Sequence, residues 1–158
     1  METTNITLTP LDKNKIMHSQ KVAEFMLSSA VVYGVDPQTA YFTGLNHDIG
    51  YLNGKVGHSK SGADFLESLG VSDEVVEAIR NHGKNVYEYS KTKKPSNLLI
   101  LLWTADLSIG KDGSYIGFDA RLNDIKERYG ENSEQYKNVS ETAKFCEEFL
   151  RTLKGNEV

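Results

Sequence analysis

Residues 44–51 read GLNHDIGY, and the His47-Asp48 pair at the centre of this stretch is the most informative feature of the chain. The chain has only three other histidines, at His18, His58 and His82. Imidazole nitrogens combined with carboxylate oxygens make a mixed ligand set, which suits Zn, Fe, Mn, Co or Ni better than Ca. The stretch therefore predicts a transition-metal site near the end of a helix.

Asp106 is the second informative residue, because it stands alone within the apolar stretch LLILLWTADL at residues 98–107. Leu99, Leu102 and Trp103 share its side of a helix by their spacing. An unpaired carboxylate in such a place costs several kcal/mol or becomes neutral. No lysine or arginine lies between residues 95 and 110, so the pattern favours a bound metal as the counter-charge.

Each of the other histidines also has an ordinary structural explanation when it is considered alone. His18 shares a helical face with Val22 and Phe25, as a hydrogen-bonded core histidine would. His82 precedes a glycine and suits the negative end of a helix dipole, and His58 suits the start of a helix. One shared metal site explains the ordered set with fewer assumptions than separate structural roles.

Apolar spacing and cap signals predict an all-α fold of about seven helices. The expected helices cover 12–33, 36–48, 59–69, 72–82, 97–109, 118–129 and 133–153. Loops are expected over 50–57, 84–95 and 110–117. The whole chain, 1–158, is expected to form a single domain, with the metal-site core at about 13–110 and C-terminal helices at about 118–153.

Charge and composition narrow the possible partners. The net charge of −4 argues against a basic surface that grips a nucleic-acid duplex. The N-terminus lacks signal-peptide features, and the longest apolar run is too short to span a bilayer. The lone Cys146 cannot form an intramolecular disulfide, and no histidine lies near it to activate it as a nucleophile. We therefore expect a cytoplasmic protein without a membrane partner; its oligomeric state is left open.

The ordered set His18, His47-Asp48 and Asp106 resembles the HD-domain metal-dependent phosphohydrolase superfamily. The segment HDIG at 47–50 is a common spelling of the motif of that family. The resemblance covers about residues 13–110. It implies a compact all-α bundle and a metal-dependent phosphohydrolase that acts through a metal-activated water.

Two further segments are similar to the extended-histidine members that hold two metals. They are GHSKSGA at 57–63 and IRNH at 79–82. The combination resembles the bacterial diadenosine-tetraphosphate hydrolase branch and the cyclic-dinucleotide phosphodiesterase branch. The chain departs from the latter because Gly83, rather than His-Glu, follows the second histidine. It also has Tyr51 where many members have lysine.

The resemblance implies one or two divalent ions of Fe, Mn, Zn, Co or Ni. With one metal, the ligands would be His18, His47, Asp48 and Asp106. With two metals, Asp48 would bridge them, and His58 and His82 would hold the second. The residues assigned to catalysis are Asp48, His82 and Lys84.

The expected substrate is a nucleotide or another small phosphoester. Two alternatives remain open: a mixed-valent di-iron oxygenase, or a nucleotide-binding or sensor module without turnover. Lys55, Lys84 and Arg121 are further candidate cations for contact with the substrate, although a solvated surface position is the preferred interpretation of each. The loops at 84–95 and 110–117 are expected to line the entrance. Their aromatic residues, which could stack on a base or simply pack, are Tyr87, Tyr89, Tyr115 and Phe118.

Overall fold

The computed structural model describes residues 13–53 and 58–155 and consists of α-helices joined by short connections. The helices are α1 (Lys13–Ser29), α2 (Pro37–Asn46), α3 (His58–Ser68), α4 (Asp73–Asn81), α5 (Val86–Ser90), α6 (Asn97–Ser108), α7 (Gly117–Tyr129) and α8 (Glu134–Gly155). A 3-10 helix, Ile49–Asn53, follows α2. The only β-type pairing in the described residues is an isolated bridge between Ile109 and Tyr115. The predicted all-α fold is confirmed.

The structure corrects three of the predicted boundaries. α1 ends at Ser29 rather than near residue 33, and turns then lead to Gly34 with a positive φ of 69°. The predicted loop 84–95 contains α5, where Asn85 accepts hydrogen bonds from two backbone N–H groups. The predicted loop 50–57 begins with the 3-10 helix. Such short helices lack a repeating apolar stripe, so periodicity does not reveal them.

Helix α6 forms the centre of the core. Ten of its twelve residues are buried, and it contacts α1, α4 and α8. Ser96 caps its first turn by accepting a hydrogen bond from the Leu99 N–H at 3.1 Å. Asp106, near the other end, has a side chain that is 26% exposed. The buried helix therefore carries its one carboxylate to the edge of the core.

Glycines allow the helices that carry the His-Asp motif to approach their neighbours closely. A Cβ at Gly44 would lie 2.8 Å from the Ala23 Cα, so the glycine permits close contact between α1 and α2. A Cβ at Gly50 would overlap the His58 carbonyl and lie 2.8 Å from the Gly62 nitrogen. The glycine of the HDIG segment therefore seats the 3-10 helix against the start of α3.

Helices α7 and α8 cover one side of this core. Thr142 of α8 accepts a hydrogen bond from the Val86 N–H at 3.1 Å, and Asn85 donates to Glu141 at 2.8 Å. Cys146 is buried in the same helix, and burial raises the pKa of its thiol to about 12, which keeps it protonated. None of the described helices combines the length and apolar character needed to cross a membrane.

Candidate metal centre

Five helices or helix ends bring the predicted ligands to one place. His18 lies on α1, His47 and Asp48 directly follow α2, His58 begins α3, His82 directly follows α4, and Asp106 lies on α6. Their ligand atoms form three groups in which every atom lies within 4.8 Å of the others. The groups are His18, His47 and Asp48; His47, His82 and Asp106; and Asp48, His58 and His82.

Asp48 lies between two pairs of histidines. Its Oδ2 atom is 3.2 Å from His47 Nε2 and 4.0 Å from His18 Nε2. Its Oδ1 atom is 3.5 Å from His58 Nε2 and 3.7 Å from His82 Nε2. Each carboxylate oxygen therefore faces a different pair, which is the arrangement that a bridging carboxylate requires.

Asp106 completes the first half of the site. Its Oδ1 atom is 2.8 Å from His18 Nε2 and 3.3 Å from His47 Nε2. Atoms that bind one ion at about 2.1 Å, at angles of 90° to 110°, are about 3.0 to 3.4 Å apart. The separation from His47 falls within this range, and the separation from His18, at hydrogen-bonding distance, is slightly shorter.

Backbone carbonyls fix the orientation of three of the four imidazole rings. The Nδ1 atoms of His18, His47 and His82 lie 2.9, 2.7 and 2.7 Å from the carbonyl oxygens of Gly110, Gly44 and Ile79. A carbonyl oxygen only accepts hydrogen bonds, so each Nδ1 carries the proton. In the neutral ring the lone pair is then on Nε2, which faces the carboxylates. Metal-binding histidines usually have this arrangement, in which the other ring nitrogen donates to a carbonyl, a carboxylate or water.

The position of His47 Nε2 tests whether the residues fit a cation. This atom is buried and has no hydrogen-bond partner in the parts of the chain that the structure describes. Two carboxylate oxygens nevertheless lie within 3.3 Å of it. A nitrogen lone pair that faces two anionic oxygens is unfavourable unless a proton or a cation lies among them. The donor set therefore fits a divalent transition metal.

The pKa values of His47, Asp48 and Asp106 depend on one another. Burial opposes the charged form of His47, but Asp48 and Asp106 outweigh it and hold the pKa of His47 well above its usual value. Burial likewise opposes ionisation of both carboxyls. The positive charge of His47 holds the pKa of Asp48 well below its usual value, and the hydrogen bond from His18 together with the charge of His47 does so for Asp106. The metal-free cluster thus keeps its carboxylates ionised with the help of an imidazolium.

Arg121 supports the site from α7, which corrects its preferred interpretation as a solvated surface cation. Its side chain is only 16% exposed. Nη2 donates to the Asp106 carbonyl oxygen at 3.1 Å, and Nη1 donates to the Ile109 carbonyl oxygen at 3.4 Å. Nη2 also lies 4.0 Å from Asp106 Oδ1. Arg121 therefore holds the end of α6 and adds positive charge beside a predicted ligand.

The ligands face a cavity of about 630 Å³ that is rich in cations. Four basic residues line it: Lys15, Lys84, Lys111 and Arg121. Lys84, one of the three candidate cations for contact with the substrate, is exposed but contributes to this lining. Lys55 lies outside the described residues. Lys15 and Lys111 were not identified from the sequence, because isolated lysines on helices and loops are usually surface residues.

The walls of the cavity differ from the expected ones. None of the predicted aromatic residues of the two loops lines it. Tyr89 is buried and donates to Glu77, while Tyr115 stacks on Phe25. Of the expected entrance loops, only Lys84, Asn85 and Lys111 contribute. The far wall instead comes from α7 and α8, with Ile125, Tyr129, Asn138, Val139 and Thr142.

Comparison with known proteins agrees with this arrangement. The model of the HD domain family matches residues 16–108. Ribonuclease Y of Rhodopirellula baltica is 32% identical over 139 residues, which are 84% of this chain and 24% of that protein. The chain thus spans about a quarter of the length of this curated relative.

A solved structure shares the fold. It is that of a predicted HD superfamily hydrolase from an uncultured Thermotogales bacterium, which is 23% identical with a TM-score of 0.51. The likeness covers 98% of this chain and 89% of that one. With the family match spanning the helices that carry all six predicted ligands, the chain belongs to the HD domain family.

Proposed function

We propose that this protein is a metal-dependent phosphohydrolase that acts on a nucleotide or another small phosphoester. One observation carries the proposal: Asp48 lies between two histidine pairs in a cavity lined by four cations. Membership of the HD domain family supports a metal-dependent hydrolase in general terms. The substrate and the reaction type are inferred from the chemistry of the cavity.

The proposed metal ligands follow the two halves of the site. His18, His47, Asp48 and Asp106 would hold one divalent ion. Asp48, His58 and His82 would hold a second, and Fe, Mn, Zn, Co and Ni all suit these donors. Such ions, when bound, supply a nucleophilic water near neutral pH and neutralise phosphate charge.

The side chains of the cavity would bind and orient the phosphate. Lys84 and Lys111 lie on loops, and Lys15 faces the cavity from α1, so an entering phosphate meets positive charge from several directions. Arg121 holds the Asp106 backbone in place. We assign Asp48 and His82 to the reacting centre and Lys84 to contact with the phosphate oxygens.

The rest of the cavity favours an organic group beside the phosphate. Tyr129 presents an aromatic ring, Ile125 and Val139 present apolar surface, and Asn138 presents an amide. Nucleobases bind through this combination of stacking and hydrogen bonding. A volume of about 630 Å³ lies within the range of small-molecule sites.

An RNA phosphodiester is a second candidate substrate, because a relative that is 32% identical is named ribonuclease Y. Four cations of the described residues line the cavity, while the net charge of the chain is −4. This distribution favours a single nucleotide or a strand end over a duplex, whose backbone needs an extended basic surface.

A hydrolysis screen that separates substrates from products by chromatography tests the proposal, because cleavage of a phosphodiester or a dinucleotide need not release inorganic phosphate. Purified protein is supplied in turn with Mn²⁺, Fe²⁺, Co²⁺, Ni²⁺ or Zn²⁺ and assayed on nucleotides, dinucleotides and short single-stranded RNA. We expect turnover on at least one class, and its loss together with bound metal in His47→Ala and Asp106→Ala. Tyr87→Ala is the matched control, since Tyr87 is 48% exposed and does not line the cavity. Full activity in either ligand variant contradicts the proposal.

The same preparations separate the two alternative functions. A di-iron oxygenase purifies with iron and gives a mixed-valent signal in electron spin resonance. A colourless protein that hydrolyses phosphoesters with Mn²⁺ or Zn²⁺ rules that chemistry out. A binding or sensor module is stabilised by a nucleotide in thermal unfolding but releases no product with any of the metals.

A further inference from the structure

Tyr51 lies in the middle of a three-layer stack at the cavity wall. Its ring stacks on the His58 imidazole, with ring centroids 4.2 Å apart and planes inclined by only 14°. On the ring of Tyr51, Lys15 Nζ lies 3.6 Å from the centroid. All three residues line the cavity. The stack therefore connects α1, the 3-10 helix and the first residue of α3.

His58 differs from the other three histidines in how its ring is held. Its side chain is 23% exposed, against 9% for His18, none for His47 and 4% for His82. The other three donate from Nδ1 to a backbone carbonyl. Within residues 13–53 and 58–155, no carbonyl does this for His58.

The Tyr51 ring is the contact that can orient His58 in place of a carbonyl. Near-parallel aromatic rings at this separation restrict rotation of the imidazole about its side-chain torsions. The cation on the tyrosine ring adds an electrostatic attraction that favours the same stack. The close seating of Gly50 against the His58 carbonyl fixes the backbone of the two residues relative to each other.

We propose that Tyr51 is a positioning residue that aims His58 Nε2 at Asp48 Oδ1 and thereby sets the affinity of the second metal position. The inference rests on the two-metal form of the proposed function. His58 Nε2 and Asp48 Oδ1 are 3.5 Å apart, so a rotated imidazole would lose this approach. Other contacts orient the ligands of the first position. The rings of His47 and His18 donate to the Gly44 and Gly110 carbonyls, and Arg121 donates to the backbone carbonyl of Asp106; the fourth ligand, Asp48, is shared by both positions.

A titration with Mn²⁺ alone tests the proposal without an activity assay. Calorimetry monitors the binding, and the metal content after gel filtration gives the number of bound ions. We expect about two equivalents in the wild-type chain, in a tight phase and a weaker one. Tyr51→Phe keeps the ring and should keep both phases. Tyr51→Leu keeps apolar bulk without the ring, and should weaken only the weaker phase by roughly 10- to 100-fold. His58→Ala marks the full loss of that phase.

Tyr87→Leu is the matched control, because Tyr87 is an exposed aromatic residue outside the cavity, and it should bind Mn²⁺ like the wild type. Unchanged binding in Tyr51→Leu overturns the role of Tyr51 alone. So does an equal weakening of both phases, or a loss of the weaker phase in Tyr51→Phe. Fewer than two equivalents in the wild-type chain contradicts the two-metal arrangement and this inference together, and that failure appears before any variant is measured.

Discussion

The two ring nitrogens of His47 and His82 perform different tasks. Nδ1 of each bonds the carbonyl three residues earlier, at Gly44 and Ile79, where its helix ends. Nε2 of each faces Asp48. The helix-end explanation and the metal-ligand explanation, which the sequence presented as alternatives, are therefore compatible in one side chain.

In the proposed two-metal arrangement, His82 is a ligand of the second ion and not of the first. We expect His82→Ala to weaken one Mn²⁺ equivalent by at least roughly tenfold, while the other equivalent remains and turnover falls. Plasma mass spectrometry of the dialysed variant measures this directly. His82→Gln controls for side-chain volume near the Trp103 indole, whose Nε1–H donates to the His82 backbone carbonyl at 2.9 Å. A variant that keeps both equivalents shows that His82 does not bind metal.

Protonation of the cluster predicts how the metal-free chain responds to pH. Because the pKa of His47 is raised in the folded chain, protonation of His47 stabilises the fold fully at pH values below 6.5. This contribution is lost as the pH rises through the raised pKa. Because the pKa values of Asp48 and Asp106 are lowered in the folded chain, their ionisation stabilises the fold at pH values above 3.8. That contribution is lost as the pH falls through the lowered pKa values.

Unfolding temperatures measured in the presence of a chelator should therefore be highest between pH 3.8 and 6.5. Saturation with Mn²⁺ should remove the decline on the alkaline side, because metal binding favours the deprotonated imidazole. His47→Gln serves as the comparison and should flatten the alkaline decline. A metal-free wild-type chain that becomes more stable as the pH rises above 6.5 would show that the imidazolium does not support the cluster.

The 3-10 helix and α3 meet through a pair of glycines, Gly50 and Gly62. We expect Gly50→Ala to lower the free energy of unfolding by about 1–3 kcal/mol, because its Cβ would overlap the His58 carbonyl. Displacement of α3 should also weaken metal binding at His58. Gly155→Ala is the control, since nothing lies within 4 Å of its added Cβ. Chemical denaturation measures the free energy of unfolding of the two variants, and equal values would contradict the close contact at Gly50.

Long helices were predictable from the sequence, and short connections were not. α6 is a continuous apolar run and α8 has apolar residues at helical spacing, so the existence of both followed from the pattern alone. α5 has only five residues and the 3-10 helix has five, too few to establish a period. The end of α1 was placed too late because Val31 and Val32 continue its apolar pattern, yet both are exposed.

Charge is distributed unevenly over the molecule. The chain carries a net charge of −4, but the cavity has four cations against the two carboxylates of Asp48 and Asp106. The cavity is therefore positively charged although the chain as a whole is negatively charged, which would favour entry of an anion. Salt screens such attraction over a length of about 10 Å at 0.1 M.

We expect kcat/KM for a phosphoester to fall as ionic strength rises from about 0.05 to about 0.5 M. Lys111→Met should lower it roughly 2- to 10-fold at low salt and reduce its salt dependence. Lys144→Met removes the same charge from an exposed position outside the cavity and should change neither. Steady-state kinetics over a salt series measures both effects. If kcat/KM of the two variants depended on ionic strength with the same slope, electrostatic steering by the cavity would be contradicted.

The site itself was predictable to the extent that its chemistry is rare in the chain. Four histidines and one carboxylate in an apolar helix stand out in any sequence of this composition. Arg121, Lys15 and Tyr129 do not stand out, because their residue types are common on solvent-exposed helices. Only the packing of α7 against α6 reveals that Arg121 reaches the backbone of Asp106.

The division of Asp48 between two histidine pairs has a thermodynamic consequence. Both halves of the site depend on one side-chain torsion, so an ion that orders the carboxylate for itself also orders it for its neighbour. The entropy lost in fixing Asp48 falls on whichever ion arrives first. Linkage then requires each ion to raise the affinity for the other by the same factor. The weaker position would therefore fill at a lower metal concentration than it would without the first ion.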